Sequence, residues 1–225
     1  MEHAKPLACI SENLAGLTHQ RLRPERILKA FRSAGYVVHW KLLNSRAFCV
    51  AQCRKRVYMV CVLDGVARET ASFRFPEPVG QASLGAILEQ PVRWQRPPSS
   101  ATACRNLANA RDVLTKSSHV DGSSLSLCDL QASPKRMQTK IGYSPCITRA
   151  RCGSKSFVVC KGRNTELVHP LTLLECSRLQ GFSDETCRVR QQLLGDVDHL
   201  HALGNAMTQT VVEAVVQAVL PHISM

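Results

Sequence analysis

No uninterrupted apolar run of roughly 18 residues occurs in this 225-residue chain, so no transmembrane helix is expected. The N-terminal stretch MEHAKPLACISENL has an acidic second residue and no long apolar core, which does not fit a secretory signal. No Cys-x-x-Cys pair exists among the eleven cysteines. The closest pair, Cys49 and Cys53, is followed by no Cys or His pair at zinc-finger distance. With an odd count and no signal, a disulfide framework is not expected. The thiols read as reduced, mostly core-filling side chains of an intracellular protein. Acidic residues are missing altogether from 130–165, where eight basic ones stand: Lys135, Arg136, Lys140, Arg149, Arg151, Lys155, Lys161 and Arg163.

What is present is ordinary in amount and uneven in placement. The chain is 44% hydrophobic and 20% charged, a globular composition with enough length for one larger domain or two small ones. Its formal charge of +12 is concentrated early: residues 1–70 hold 12 Lys/Arg against 5 Asp/Glu, and residues 71–170 hold 14 against 6. Residues 171–225 reverse this, with 3 against 6. A basic, acid-free segment favours a phosphate backbone or another polyanion; the plain alternative is a solvated loop.

PLACIS (6–11) reads as a short buried strand ending at Glu12 and Asn13. Leu22, Ile27, Leu28 and Phe31 recur at near-helical spacing over 19–34, and Gly35 closes that helix. YVVHWKLL (36–43) and RVYMVCVL (56–63) are strand candidates, and strand–helix–strand–strand suggests one end of an α/β sheet. From 65 to 145 periodicity fades into turn and linker chemistry, and a loop-rich insert is expected, partly disordered on its own. SFVVCKG (156–162) reads as a strand. In LTLLECSRLQGF (171–182), Thr172 and Glu175 have capping-box spacing and Gly181 stops the helix. GNAMTQTVVEAVVQAVLP (204–221) reads as one buried final helix.

Taken in order, SENLAGL, AQCRKR, the basic insert, LTLLECSRLQGF and ALGNAMTQTVVEA resemble the later blocks of the cytosine-5 DNA methyltransferases. These are the Glu-Asn, Gln-x-Arg-x-Arg, target-recognition, Leu-Gln-Gly-Phe and Gly-Asn-Ala blocks. The resemblance covers nearly the whole chain, the insert matching by position only. It implies an α/β fold: an incomplete Rossmann-like S-adenosylmethionine-dependent methyltransferase sheet (1–64), a small loop-rich target-recognition domain (65–170), and helices returning to the catalytic domain (171–225). The family's cofactor loop and Pro-Cys-Gln nucleophile loop have no counterpart, and there is no Gly-x-Gly in the sequence. Cys146, in YSPCITRA, falls in a block not expected to reach a cation-rich, base-facing site. Two departures stand out. His169-Pro170 precede Leu-Thr where the family often has Arg, and Met-Thr-Gln follows Gly-Asn-Ala.

The resemblance assigns roles residue by residue. Glu12 would relieve charge at cytosine N3, with Asn13 tethering its loop. Arg56 would donate to O2 of a base rotated out of the duplex, and Arg54 would brace the catalytic loop or phosphates. Gln52 would orient the hairpin and belong to the DNA-binding set with Lys135, Arg136, Lys140, Arg149, Arg151 and Lys155. Arg178 and Gln180 would be architectural. Gly204 and Asn205 would open the final helix beside the cofactor pocket; a plain helix cap is the competing reading of Asn205. Taken alone, Glu12 also reads as an exposed turn residue, and alternate arginines as a solvated strand face. The implied cofactor is S-adenosyl-L-methionine and the implied partner double-stranded DNA, with no membrane. The implied location is intracellular: the nucleus in a eukaryote, the cytoplasm or nucleoid in a bacterium. The expectation is that this chain is inactive alone and works with an N-terminal half. The alternatives are a non-catalytic DNA-binding module and, below it, a tRNA cytosine-5 methyltransferase.

Overall fold

Residues 57–62 (VYMVCV) are buried at every position, so the strand they form must be covered on both faces. The computed structural model describes residues 5–18, 24–65, 73–133, 138–153 and 155–223. In it, β3 (Lys55–Leu63) is the central strand of a three-stranded sheet, between β1 (Ala8–Leu14) and β2 (Tyr36–Asn44) and antiparallel to both. β1 and β2 therefore run parallel to each other, joined through helix α1 (Pro24–Ser33), with Pro at its first position and Gly35 at φ +86° beyond its end. The expected helical residues 19–23 lie outside the described residues. β1 begins later and runs further than expected. Its pairing with β3 continues to Leu14 opposite Arg56, so Glu12 sits inside the strand opposite Tyr58.

Residues 73–133 and 138–145 hold more regular structure than the sequence suggests. Helix α2 (Ala101–Lys116), capped by Ser100 Oγ on the Ala103 amide at 3.3 Å, was not expected at all. Strands β4 (Leu125–Asp129), β5 (Thr139–Ile141), β6 (Phe157–Lys161) and β7 (Asn164–Pro170) form an antiparallel sheet in the order β5-β4-β6-β7. α2 lays Ala103, Leu107, Ala110 and Leu114 on one face of this sheet, against Cys128, Val158 and Cys160. The other face, with Leu127, Phe157 and Val159, packs against α3 (Leu173–Leu179) and Leu203 of α5 (Asp196–Asn205).

Two more helices complete the chain, α4 (Asp184–Leu193) and α6 (Gln209–Val219). α6 buries only one face, Val211, Val215 and Val219, against Tyr58, Val60 and Val62 of the first sheet. Burying each valine is worth about 1.5–3 kcal/mol. The residues from 171 onward thus join the two sheets. The capping box is present: Thr172 Oγ1 accepts from the Glu175 amide at 3.2 Å, and Glu175 Oε2 accepts from the Thr172 amide at 2.9 Å. Glu175 is fully buried, and its other oxygen takes the Glu89 amide at 2.9 Å and lies 2.8 Å from His169 Nε2. That contact gives His169, the departure from the family's arginine, a definite partner.

The single helix expected over 204–221 is instead two. α5 ends at Asn205 and α6 starts at Gln209. Side chains capture carbonyls in the last turn of α5 and just after it: Gln180 Nε2 donates to Leu203 O at 2.7 Å and Arg54 Nη2 to Ala206 O at 2.9 Å. Gly204 and Asn205 therefore close a helix and do not open one. Among the described residues no helix is long and apolar enough to cross a membrane.

Candidate functional site

The β2–β3 connection is pinned from inside. Buried Ser45 donates through Oγ to Gln52 O at 2.6 Å and accepts from the Arg54 amide at 3.1 Å. This presents Gln52, Arg54 and Arg56 on alternate positions facing the same interior. Gln52 is fully buried and holds two neighbouring segments: Oε1 accepts from the Ile147 amide at 2.8 Å, and Nε2 donates to Leu179 O at 2.9 Å. Its amide has no exposed surface, so its expected place in the DNA-binding set reduces to orienting the segments that carry the site.

Arg54 is 4% exposed and works the same way with charge. Nη1 donates to Ile147 O at 3.2 Å and Gly204 O at 3.4 Å, and Nη2 donates to Ala206 O. Both arginines turn their Nε toward Glu12 Oε1, each at 3.6 Å. At that distance they are ion pairs without a hydrogen bond, and neither Glu12 Oε1 nor Arg54 Nε has a hydrogen-bond partner. The buried acceptor and donor thus face each other just beyond hydrogen-bond reach, a carboxylate held between two guanidiniums by charge alone. Burial pushes the Glu12 carboxyl above its ordinary pKa, and Arg54 and then Arg56 partly offset this. A raised folded value makes this contribution to stability largest at low pH, and it is lost as pH rises through that value.

The cluster opens into a cleft of about 480 Å³ lined by Glu12, Arg54, Arg56, Arg149, Gly204 and Asn205, with Asn13 and Thr148 at its edge. Asn13 makes a local contact, its Oδ1 accepting from the Leu14 amide at 2.8 Å. Gly204 is required by packing. A Cβ there would lie 2.2 Å from Arg149 N and 2.3 Å from Thr148 C, so the backbone of 148–149 occupies the space a side chain would need. Asn205 is exposed at the end of α5.

Cys146 is where sequence reasoning missed. Its Sγ lies 3.4 Å from Arg54 Nη1 and 3.4 Å from Arg56 Nη2, in the cation-rich site it was not expected to reach. The cause is a backbone clamp of 144 onto 51–53: Cys53 N donates to Ser144 O at 2.8 Å and Ser144 N to Ala51 O at 2.6 Å. Nothing in the local sequence announces a bridge between segments some ninety residues apart.

Of the expected DNA-contacting residues, Arg149 and Lys155 are exposed and share a second cavity of about 530 Å³ beside Leu171 and Leu200. Arg151 is committed to Asp129 at 2.8 Å. Lys140 lies on edge strand β5 opposite Leu127. Lys135 and Arg136 lie outside the described residues. No group of three or more His, Cys, Asp or Glu among the described residues could hold a metal ion.

The family described as C-5 cytosine-specific DNA methylase matches residues 1–220. The chain is 27% identical over 218 residues to the type II methyltransferase M.NlaX of Neisseria lactamica, covering 95% of this chain and 62% of that protein. It is 33% identical over 197 residues to M.NgoBI of Neisseria gonorrhoeae, covering 80% of this chain and 52% of that one. The chain thus spans a little over half the length of these relatives. In fold it is similar to the Dnmt2 methyltransferase of S. pombe, with TM-score 0.58 at 18% identity over 96% of this chain and 68% of that one. It is also similar to a putative DNA modification methyltransferase encoded within an E. coli prophage, with TM-score 0.59 at 14% identity over 98% of this chain and 71% of that one.

Proposed function

We propose, because this chain belongs to the C-5 cytosine-specific DNA methylase family, that it supplies the base-holding and DNA-reading part of a DNA cytosine-5 methyltransferase. The observation that carries this reading is the convergence of Glu12, Arg54 and Arg56 on one cleft, the carboxylate ion-paired with both guanidiniums. Cytosine offers acceptors at N3 and O2. Burial favours the protonated form of Glu12, which suits it to act as the acid toward N3 as charge builds on the ring. Arg56, partly exposed and bound to the protein through Lys55 O and Cys146, has donors left for O2. Arg54, spent on three carbonyls, holds the frame.

The methyl donor of the reaction is S-adenosylmethionine, and the residues of this cleft do not fit it. Three guanidiniums are poor company for a sulfonium cation, and the space at Gly204 is filled by protein backbone. Asn205 alone, open at the cleft, remains a candidate cofactor neighbour. We infer that methyl transfer needs a cofactor loop and a nucleophile that these 225 residues do not hold, from the same polypeptide or from a partner half, and that this chain alone is inactive. Duplex DNA is the proposed substrate, gripped by Arg149 and Lys155 and by the basic segment as far as Lys140.

Fluorescence anisotropy of the purified chain with labelled duplexes tests the pocket. Binding should weaken steeply with salt, as phosphate contacts require. A duplex whose one cytosine faces a mismatch should bind about tenfold tighter than the matched duplex, because less unstacking and unpairing work is needed. Arg56→Ala should remove that preference while keeping most of the salt-dependent binding. Equal affinity of the unaltered chain for both duplexes would remove the base-pocket assignment. A non-catalytic DNA-binding module would give the same salt dependence with no preference for the unpaired cytosine.

A further inference from the structure

Two cavities meet at Arg149 and Ala150. Both residues line the cleft that holds Glu12 and Arg56, and both line the larger cavity of about 530 Å³. The backbone at this junction is fixed, because 148–149 packs directly against Gly204. A nucleic-acid strand advances about 3.4 Å per nucleotide. A duplex with its cytosine in the cleft therefore lays neighbouring base pairs over the larger cavity. Arg149 and Lys155 reach that cavity as exposed cations, suited to phosphates, which carry no sequence information.

Gln131 differs from them. It is the one carboxamide in the cavity lining, and both its backbone and its side chain are held. Asp129, 3% exposed, accepts the Gln131 and Ala132 amides on Oδ1 at 3.0 Å each and Arg151 on Oδ2 at 2.8 Å. Buried Ser156 donates through Oγ to Gln131 Oε1 at 3.1 Å, and its own carbonyl takes the Leu130 amide at 2.8 Å. The turn is already braced through Asp129, so it does not need the Gln131 side chain. That side chain is nevertheless oriented while exposed, with its Nε2 hydrogens and a second Oε1 lone pair left to meet a ligand.

We propose that Gln131 is a specificity-determining residue that reads the major-groove edge of an adenine near the target cytosine, with Ser156 as its positioning residue. A donor and an acceptor side by side match adenine N7 and its N6 amino group. Guanine presents two acceptors on the same edge, so its O6 would face Oε1, and each pyrimidine offers a single hydrogen-bonding group. The assignment rests on the DNA-binding reading above.

The full chain is allowed to select from a library of duplexes, each with one mismatched cytosine flanked by randomised base pairs, and the bound fraction is sequenced. Adenine should be enriched about tenfold at one position within a few steps of the cytosine. Gln131→Ala, with an unchanged melting curve, should abolish that enrichment and keep total affinity within about threefold. Ser156→Ala should reduce the enrichment several-fold; full enrichment in that variant would overturn the positioning role. Lys155→Ala is the contrast, weakening all sequences alike and lowering the salt slope by about one. Salt-sensitive binding without an adenine preference, or a preference that survives Gln131→Ala, would overturn the assignment and leave the DNA-binding reading standing. Failure of the unaltered chain to bind any duplex would instead overturn the reading on which the assignment rests.

Discussion

Replacing Gly204 by alanine is expected to destabilise the chain by more than about 3 kcal/mol, although Gly→Ala inside a helix normally stabilises by about 1 kcal/mol. The sign reverses because the new methyl would fall 2.2 Å from Arg149 N, 2.3 Å from Thr148 C and 2.6 Å from Arg149 Cα. All three are backbone or backbone-bound atoms, which cannot rotate away as a side chain end would. Overpacking of a well-filled site costs about 1–3 kcal/mol and more where the neighbour cannot yield. Relief requires α5 to part from 148–149, which opens the cleft between Arg149 and Asn205 as well. Gly122→Ala is the matched control, since nothing lies within 4 Å of its added Cβ. Thermal melting should show a drop of roughly 6 °C or more for Gly204→Ala and a change within a few degrees for Gly122→Ala.

Arg54→Met should cost about 3–5 kcal/mol, the range for leaving one member of a buried charge pair alone. Three carbonyls, on Ile147, Gly204 and Ala206, would lose their donor together, and Glu12 would lose its most buried counter-charge. Methionine fills the space adequately, so the loss reports hydrogen bonding and charge in place of a cavity. Arg56→Met is the contrast. Arg56 has a side chain 13% exposed against 4% for Arg54, and its one carbonyl acceptor is the adjacent Lys55 O, so a smaller loss of about 1–2 kcal/mol is expected. Urea denaturation of the two variants therefore separates two arginines that the sequence presents as equivalents. Equal destabilisation would mean that Arg54 is not the internal tie between hairpin, 144–148 and α5.

That asymmetry marks where sequence reading stops. Alternation placed Arg54 and Arg56 on one side of a strand, and a buried strand could be read from VYMVCV, because both signals are local. Thr172, Glu175 and Gly181 were legible for the same reason, since a capping box and a left-handed terminus (φ +81° at Gly181) depend on a few adjacent residues. What could not be read is long-range. The buried stripe of α2 has only two large apolar residues, Leu107 and Leu114, beside Ala103, Ala110 and a buried Asn106, whose Nδ2 donates to Asp129 O at 3.1 Å and Ala132 O at 3.0 Å. The break between α5 and α6 is held by Gln180 and Arg54 capturing carbonyls, and Gly204-Asn205, expected to open one helix, stand instead at the end of another. Glu12 moved from a strand end to a strand interior because the partner strand, not its own sequence, decides how far pairing runs. Cys146 entered the site by a clamp across some ninety residues.

The proposed function gives this chain the base-binding half of a methyl-transfer site without the attacking thiol. Incubating the purified chain with tritiated S-adenosylmethionine and cytosine-containing duplex DNA measures this directly. No incorporation above a protein-free control is expected from the chain alone, under conditions where it binds the duplex. Incorporation that Cys146→Ser abolishes would contradict the account, because the nucleophile would then lie between Arg54 and Arg56 in this chain.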